Sequence, residues 1–145
     1  MSKRQSIVLA LSEKFKTIDG TGNYSTNIFQ NSYPKLKFWD EVQDFPSVYI
    51  SAGAGYREYL PANFIWQYLN VSIKLYTRGE DDCLTQLEQL IEDVTTCIDA
   101  NRVLVFDQEK NLSTTEILVQ SIITDEGLLR PYGVGEINAL VRYAL

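Results

Sequence analysis

Histidine is missing altogether from the 145 residues. That excludes Ser-His-Asp and Cys-His nucleophile systems, and it removes the His-ligated zinc and iron sites. A catalyst built on this chain would need paired carboxylates, a tuned lysine or an oxygen-ligated metal. Cysteine is scarce, with only Cys83 and Cys97 present. The helical pattern described below places both on one helix, about 21 Å apart along its axis. A disulfide needs Cα atoms within roughly 7 Å, so the two thiols stay unpaired, as small hydrophobes at a core edge. Such usage fits a reducing compartment. Long apolar runs are also absent. The basic start, Met1 to Arg4, leads only into Ile7–Leu11 before Glu13 and Lys14, which is not the pattern of a signal peptide. No stretch reaches the ~18 apolar residues of a membrane helix, so no membrane contact is expected. The Asn-x-Ser triplets at Asn23, Asn70 and Asn111 are therefore read as chance.

Positive charge is the minor sign, with 13 Lys and Arg against 19 Asp and Glu and a net charge of −6. Gripping phosphate requires clustered Lys and Arg, so the chain as a whole is not a nucleic-acid clamp. What is present is 45% apolar and 12% aromatic residues, enough for one core in one domain spanning 1–145. No internal repeat or linker divides it.

Ile7, Val8, Leu11, Phe15 and Ile18 form a helical stripe, and Gly20 and Gly22 end it. Residues 23–46 carry two short extended candidates, Tyr24–Phe29 and Leu36–Trp39, within a loop-dominated excursion bracketed by Pro34 and Pro46. Period-two alternation begins at Val48 and Ile50. Gly53-Ala54-Gly55 reads as a hairpin turn, with Tyr56–Leu60 extended beyond it. Leu69, Val71, Ile73 and Leu75 alternate with Asn70, Ser72, Lys74 and Tyr76 in the strongest strand, 64–77. A second helix follows, capped by Asp81 or Asp82, with Leu84, Leu87, Ile91, Val94 and Ile98 on one face. Arg102–Phe106 adds a short strand, and alternating segments around Ile117–Ile123 and Val134–Tyr143 close the chain. The expected fold is α+β: a mainly antiparallel mixed sheet with two helices packed on one face and a polar second face.

Few residues suggest chemistry. Gly53-Ala54-Gly55 lacks the third glycine and the following helix of a dinucleotide site. Ser32-x-x-Lys35 contains Pro34, which turns the two side chains apart. The clusters Asp40, Glu41, Asp44 and Glu80, Asp81, Asp82 lack the spacing of a calcium loop and read as solvated or capping acids. No cofactor and no metal is expected. Asp81, Glu88, Glu92 and Asp99 make an acidic stripe on the second helix, either a solvated face or a dock for a basic partner. The dense aromatics Tyr56, Tyr59, Phe64, Trp66, Tyr68 and Tyr76, with Arg57 among them, are either core and cross-strand packing or a subunit interface.

Taken in order, the amphipathic first helix, Pro46-Ser47-Val48-Tyr49-Ile50, the strand Phe64–Tyr76, the Gly79-Glu80-Asp81-Asp82 turn into Leu84–Ile91, and Thr124–Gly133 leading into the last strand form a succession. It resembles the tail terminator (tail completion) proteins of long-tailed bacteriophages over residues 3–145. The resemblance implies a non-enzymatic virion protein assembled in the host cytoplasm as a hexameric ring at the head-proximal end of the tail. Its partners would be other copies of itself, the tail tube protein and the head-side connector, with DNA as passing cargo. Tyr56, Arg57, Tyr59, Trp66, Tyr68 and Tyr76 are then the expected subunit or tube interface. Ser72, Lys74, Glu116 and Asn138 are expected to face the lumen. Two alternatives remain: a neck or connector protein of the same assembly, and a histidine-free enzyme using Asp40, Glu41 and Asp44 with a divalent ion.

Overall fold

A computed structural model describes residues 1–145, in the order α1 (Lys3–Phe15), β1 (Ser32–Tyr33), β2 (Ser47–Leu60), β3 (Phe64–Arg78), α2 (Cys83–Ala100), β4 (Val105–Asp107), β5 (Leu112–Ser113), β6 (Glu116–Thr124) and β7 (Tyr132–Ala144). The main sheet runs β1-β2-β3-β7-β6 and is mixed: β1 pairs parallel with β2, and every other pairing is antiparallel. A separate β4-β5 ribbon lies beside α1. The fold is the expected α+β arrangement, with both helices on one face of the sheet.

The alternation in β3 and β7 builds the core. Leu69, Val71, Ile73 and Leu75 share a face with Ile137, Ala139, Val141 and Tyr143, and all are buried. Ile7, Val8, Leu11 and Phe15 of α1 and Leu87, Leu90, Ile91, Val94 and Ile98 of α2 complete one continuous cluster. Truncating any of these large side chains to alanine costs about 2–5 kcal/mol, against a total stability of roughly 5–15 kcal/mol. Cys83 and Cys97 are buried within α2 and free, as the spacing required.

Helix α1 is closed at its start by a reciprocal pair. The Ser2 hydroxyl accepts from the Gln5 amide at 3.1 Å, and Gln5 Oε1 accepts from the Ser2 amide at 3.2 Å. The expected Asp cap on α2 does not form through a side chain: Asp82 occupies the cap position without donating or accepting such a bond.

Three other expectations are corrected. Gly53-Ala54-Gly55 is a β-bulge inside a continuous 14-residue β2, where the register jumps from Ala52–Val71 to Gly55–Leu69. The hairpin turn falls later, at Pro61-Ala62-Asn63, with Ala62 and Asn63 at positive φ. The pieces around Tyr24–Phe29 and Leu36–Trp39 form no strand: Asn27 makes an isolated antiparallel bridge to Asp19, and Ser32–Tyr33 is the strand that pairs. Instead residues 34–46 fold over one end of the second sheet face, packing Val42, Trp39 and Phe45 against Tyr49 and Tyr76.

The excursion before it is pinned by Asp93, a buried carboxylate on α2. Its oxygens accept from the Ser25 amide at 3.1 Å and the Thr26 amide at 2.7 Å. Asp93→Ala strands two partly buried N–H groups and should cost about 3 kcal/mol in urea unfolding. Gly133 is equally constrained, since a Cβ there would sit 2.8 Å from the Cys83 carbonyl oxygen and 2.3 Å from Thr77 Oγ1. Gly133→Ala should lower stability by roughly 1–3 kcal/mol, and an unchanged midpoint would mean β7 can back away from α2.

Candidate assembly site

The β2–β3 hairpin outgrows the body of the molecule. Every residue from Ala52 to Phe64 is exposed, although all lie in strands or in the turn joining them. The register fixes which way each side chain points. Tyr56, Glu58 and Leu60 pair with Tyr68, Trp66 and Phe64 on the sheet face opposite the helices, while Arg57 and Tyr59 pair with Gln67 and Ile65 on the helix side.

Tyr56, Trp66 and Tyr68 thus come together. Tyr56 stacks on Tyr68 with centroids 4.6 Å apart and planes 9° from parallel, and the Tyr68 hydroxyl donates to Glu58 at 3.3 Å. Phe64 meets Trp66 edge-on at 4.9 Å, and the Arg142 guanidinium lies 4.4 Å over the Trp66 ring. This ladder holds the arm straight through cross-strand packing, so Trp66 and Tyr68 are partly buried. Tyr59 stands apart at 69% exposure. Arg57 also projects from the arm on that side.

Tyr76 does not join them. It is 2% exposed, beneath residues 34–46, and its hydroxyl donates to the Lys37 carbonyl at 2.5 Å. Burial raises its pKa to about 12, assisted by the carboxylates of Glu136, Asp40 and Glu41. Alternation placed Tyr76 on the outward face correctly; residues 34–46 then cover that spot. Asp44, one of the acids weighed as an ion ligand, accepts hydrogen bonds from the hydroxyls of Tyr33 and Tyr49. No group of three His, Cys, Asp or Glu side chains is arranged to hold a metal ion.

The rest of the second face is polar, and Lys74, Glu136 and Glu116 on it are each paired with a charge of opposite sign. Ser72, Lys74 and Asn138 lie on it as expected. Lys74 Nζ and Ser72 Oγ both donate to Glu136 Oε1 at 2.6 Å, and these bonds hold the Glu136 carboxyl below its ordinary value. Asn138 Nδ2 donates to Ser121 Oγ at 3.1 Å. Glu116 sits at the margin, bonded to Arg102 Nε at 2.5 Å and level with Arg142, and its pKa is lowered first by the Arg102 hydrogen bond. Glu136 was the partner missing from the sequence reading; its place two residues before Asn138 in an alternating strand was the available signal.

The acidity of the chain resides elsewhere. Glu88, Glu92 and Asp99 are exposed on α2 and form none of the molecule's three ion pairs. Asp81 precedes the helix instead of belonging to it.

The linkage at Glu136 has a definite sign. A carboxyl held low in the folded state stabilises above its unfolded value, near 4.5, and that contribution fades as pH falls through the folded value. Glu136→Gln should therefore cost about 1 kcal/mol at pH 7 and nothing at pH 2, measured by urea unfolding at both.

Comparison with known proteins gives the family. A family model for bacteriophage tail tube terminator proteins matches residues 1–145. The chain is 36% identical over 152 aligned positions to the tail tube terminator protein p142 of Escherichia phage T5, covering 99% of this chain and 94% of that one. Among solved structures, a chain from the virion of a native gene transfer agent particle superposes with a TM-score of 0.64 over 96% of this chain and 95% of its own. At 7% identity, that last likeness speaks for the fold alone. The full-length family match and the T5 relative establish that this chain belongs to the bacteriophage tail tube terminator proteins, structural components of the phage tail.

Proposed function

We propose that the chain works as a single domain that assembles into a hexameric ring on the tail tube, ends tube growth and presents its far side to the head connector. The observation that carries this is the exposed arm. A free hairpin of this length, bearing Tyr56, Tyr59, Leu60 and Phe64, is costly to leave in water and suits contact with another subunit or the tube. Family membership favours a terminator over a neck protein, and the tyrosine bonds of Asp44 favour a structural role for it over ion-assisted catalysis.

The two ends of the sheet suit two partners. From the arm at Phe64 to Arg78, β3 spans roughly 45 Å, so one flat surface cannot touch both. Growth arrest has to be durable, which calls for a large aromatic contact; the arm end provides one. The opposite end, with Glu80, Asp81, Asp82, Asp125 and Glu126, is left for the head side, reached in the host cytoplasm where the virion is assembled.

The uncovered polar face, with Ser72, Lys74, Glu116 and Asn138, lines the passage in this reading. Lys74 and Arg102 are held by Glu136 and Glu116, and Arg142 lies over the Trp66 ring, so passing DNA meets few free cations there. No cofactor or bound metal enters the mechanism.

Three measurements test this. Added to polymerising tube subunits, the protein should give short, capped tubes with hexameric ends in micrographs; continued growth would overturn the terminator role. Tyr59→Ala should weaken capping by about 10- to 100-fold with the fold intact, whereas Glu88→Lys with Glu92→Lys should leave capping unchanged. Ser72→Lys with Asn138→Lys should slow DNA ejection from otherwise normal tails; unaltered ejection would place the passage elsewhere.

A further inference from the structure

The main sheet leaves two long edges without partners, on opposite sides. β1 covers β2 only at Val48 and Tyr49, so the outer edge from Ala52 to Leu60 is open; β6 is the other end of the sheet and is open along Glu116–Thr124. Proteins guard such edges with lysine, proline or an overlying loop. β6 has no lysine and no proline. It carries one bulge, between Val119 and Ser121, and exposes Leu118, Ile122 and Ile123. An apolar strand edge of this kind invites a second strand.

We infer that β6 of one copy adds to the outer edge of the β2 arm of the next, so that the subunits share one continuous sheet. This rests on the proposed ring and names its subunit contact.

Strand directions fit. β2, β3, β7 and β6 alternate antiparallel across the sheet, so β2 and β6 themselves run in opposite senses. Copies standing side by side in the same orientation therefore meet β2 against β6 in an antiparallel pairing. Because the two edges differ, the contact is head-to-tail, the kind that closes into rings. An arm-to-arm contact would pair two copies and leave both β6 edges in water.

Side chains match on each face of the seam. Tyr56 and Leu60 lie on the same face as Leu118 and Ile123, while Tyr59 lies with Val119 and Ile122 on the other. Aromatic beside aliphatic is a favourable cross-strand combination. At the base of the arm, the Arg4 guanidinium donates to the Gly53 carbonyl and occupies that point of the edge. A Cβ on Gly55 would lie 2.6 Å from Arg4 Nη1, so the bulge glycine makes room for it. Arg4 thereby sets the lower limit of the free edge, leaving residues 54–60 for the neighbour.

The register has a geometric consequence. Within one copy Tyr56 is level with Glu116, and Val48 is level with Thr124. Centring β6 on the free part of the arm displaces the neighbour by about four to five residues, ~15 Å, over four strands that span ~19 Å. Strands then tilt by roughly 40° from the ring axis, inside the ~35–45° found in closed barrels.

Cysteine pairs test the contact. Leu118→Cys would be combined with Tyr56→Cys, Glu58→Cys or Leu60→Cys, and each double variant oxidised after assembly. One combination should dominate and give a ladder from dimer up to the closed ring on a non-reducing denaturing gel, with each single variant silent. Dimers from the single variants would show like edges meeting like and would overturn the inference. So would a ring of normal native mass that no combination cross-links. Hydrogen exchange on the wild-type chain supplies a readout free of mutation: amides in 54–60 and 117–123 should slow by about 100-fold on assembly, and equal rates in ring and monomer would count against the seam. Native mass of the wild-type chain is measured first, because absence of any ring there defeats the ring itself and is distinct from a wrong seam.

Discussion

The antiparallel pairing of β3 with β7 is the constraint on which the rest of the molecule depends. It runs from Trp66–Ala144 to Arg78–Tyr132 without a register shift. A slip of one residue would exchange the two faces along the whole length. Leu69, Val71, Ile73 and Leu75 would leave the helices, and Ser72 and Lys74 would enter the core. The same unbroken pairing carries β3 past the body, so the arm rises from a strand anchored in the centre of the sheet.

From that pairing follow two surfaces with different chemistry. The helix side is closed by apolar packing and faces solvent through the acids of α2. The other side is half sealed by residues 34–46 and half left polar. The net charge of −6 turns out to be localised. It lies on α2 and the turns, and the polar sheet face is balanced by Lys74, Arg102 and Arg142.

Much of this was legible in the sequence because it is periodic. The stripe Ile7, Val8, Leu11, Phe15 and the alternation of residues 69–76 are local patterns that the structure places as read; α1 ends at Phe15, short of Gly20, and Ile18 joins the core from beyond the helix. The failures involve contacts between distant segments. Tyr76 alternates like Asn70, Ser72 and Lys74 on the polar face, and nothing nearby in sequence reveals that Val42 and Trp39 will cover it. Gly53-Ala54-Gly55 has turn composition, yet the partner strand continues opposite it, which makes it a bulge. Asp93 was readable in principle: it falls three residues after Leu90 and four before Cys97, on the buried side of α2, where an unpaired acid would be costly. Its partners, the amides of Ser25 and Thr26, were not readable, since they belong to the least patterned part of the chain.

In the proposed ring, copies stand side by side with the polar sheet face turned inward. A cryo-electron microscopy map of the head-proximal end of assembled tails tests it most directly. The expected map shows a six-fold ring whose passage is lined by Ser72, Lys74 and Asn138, with α2 on the outside. A ring in which Glu88 and Glu92 of α2 face the passage would contradict it.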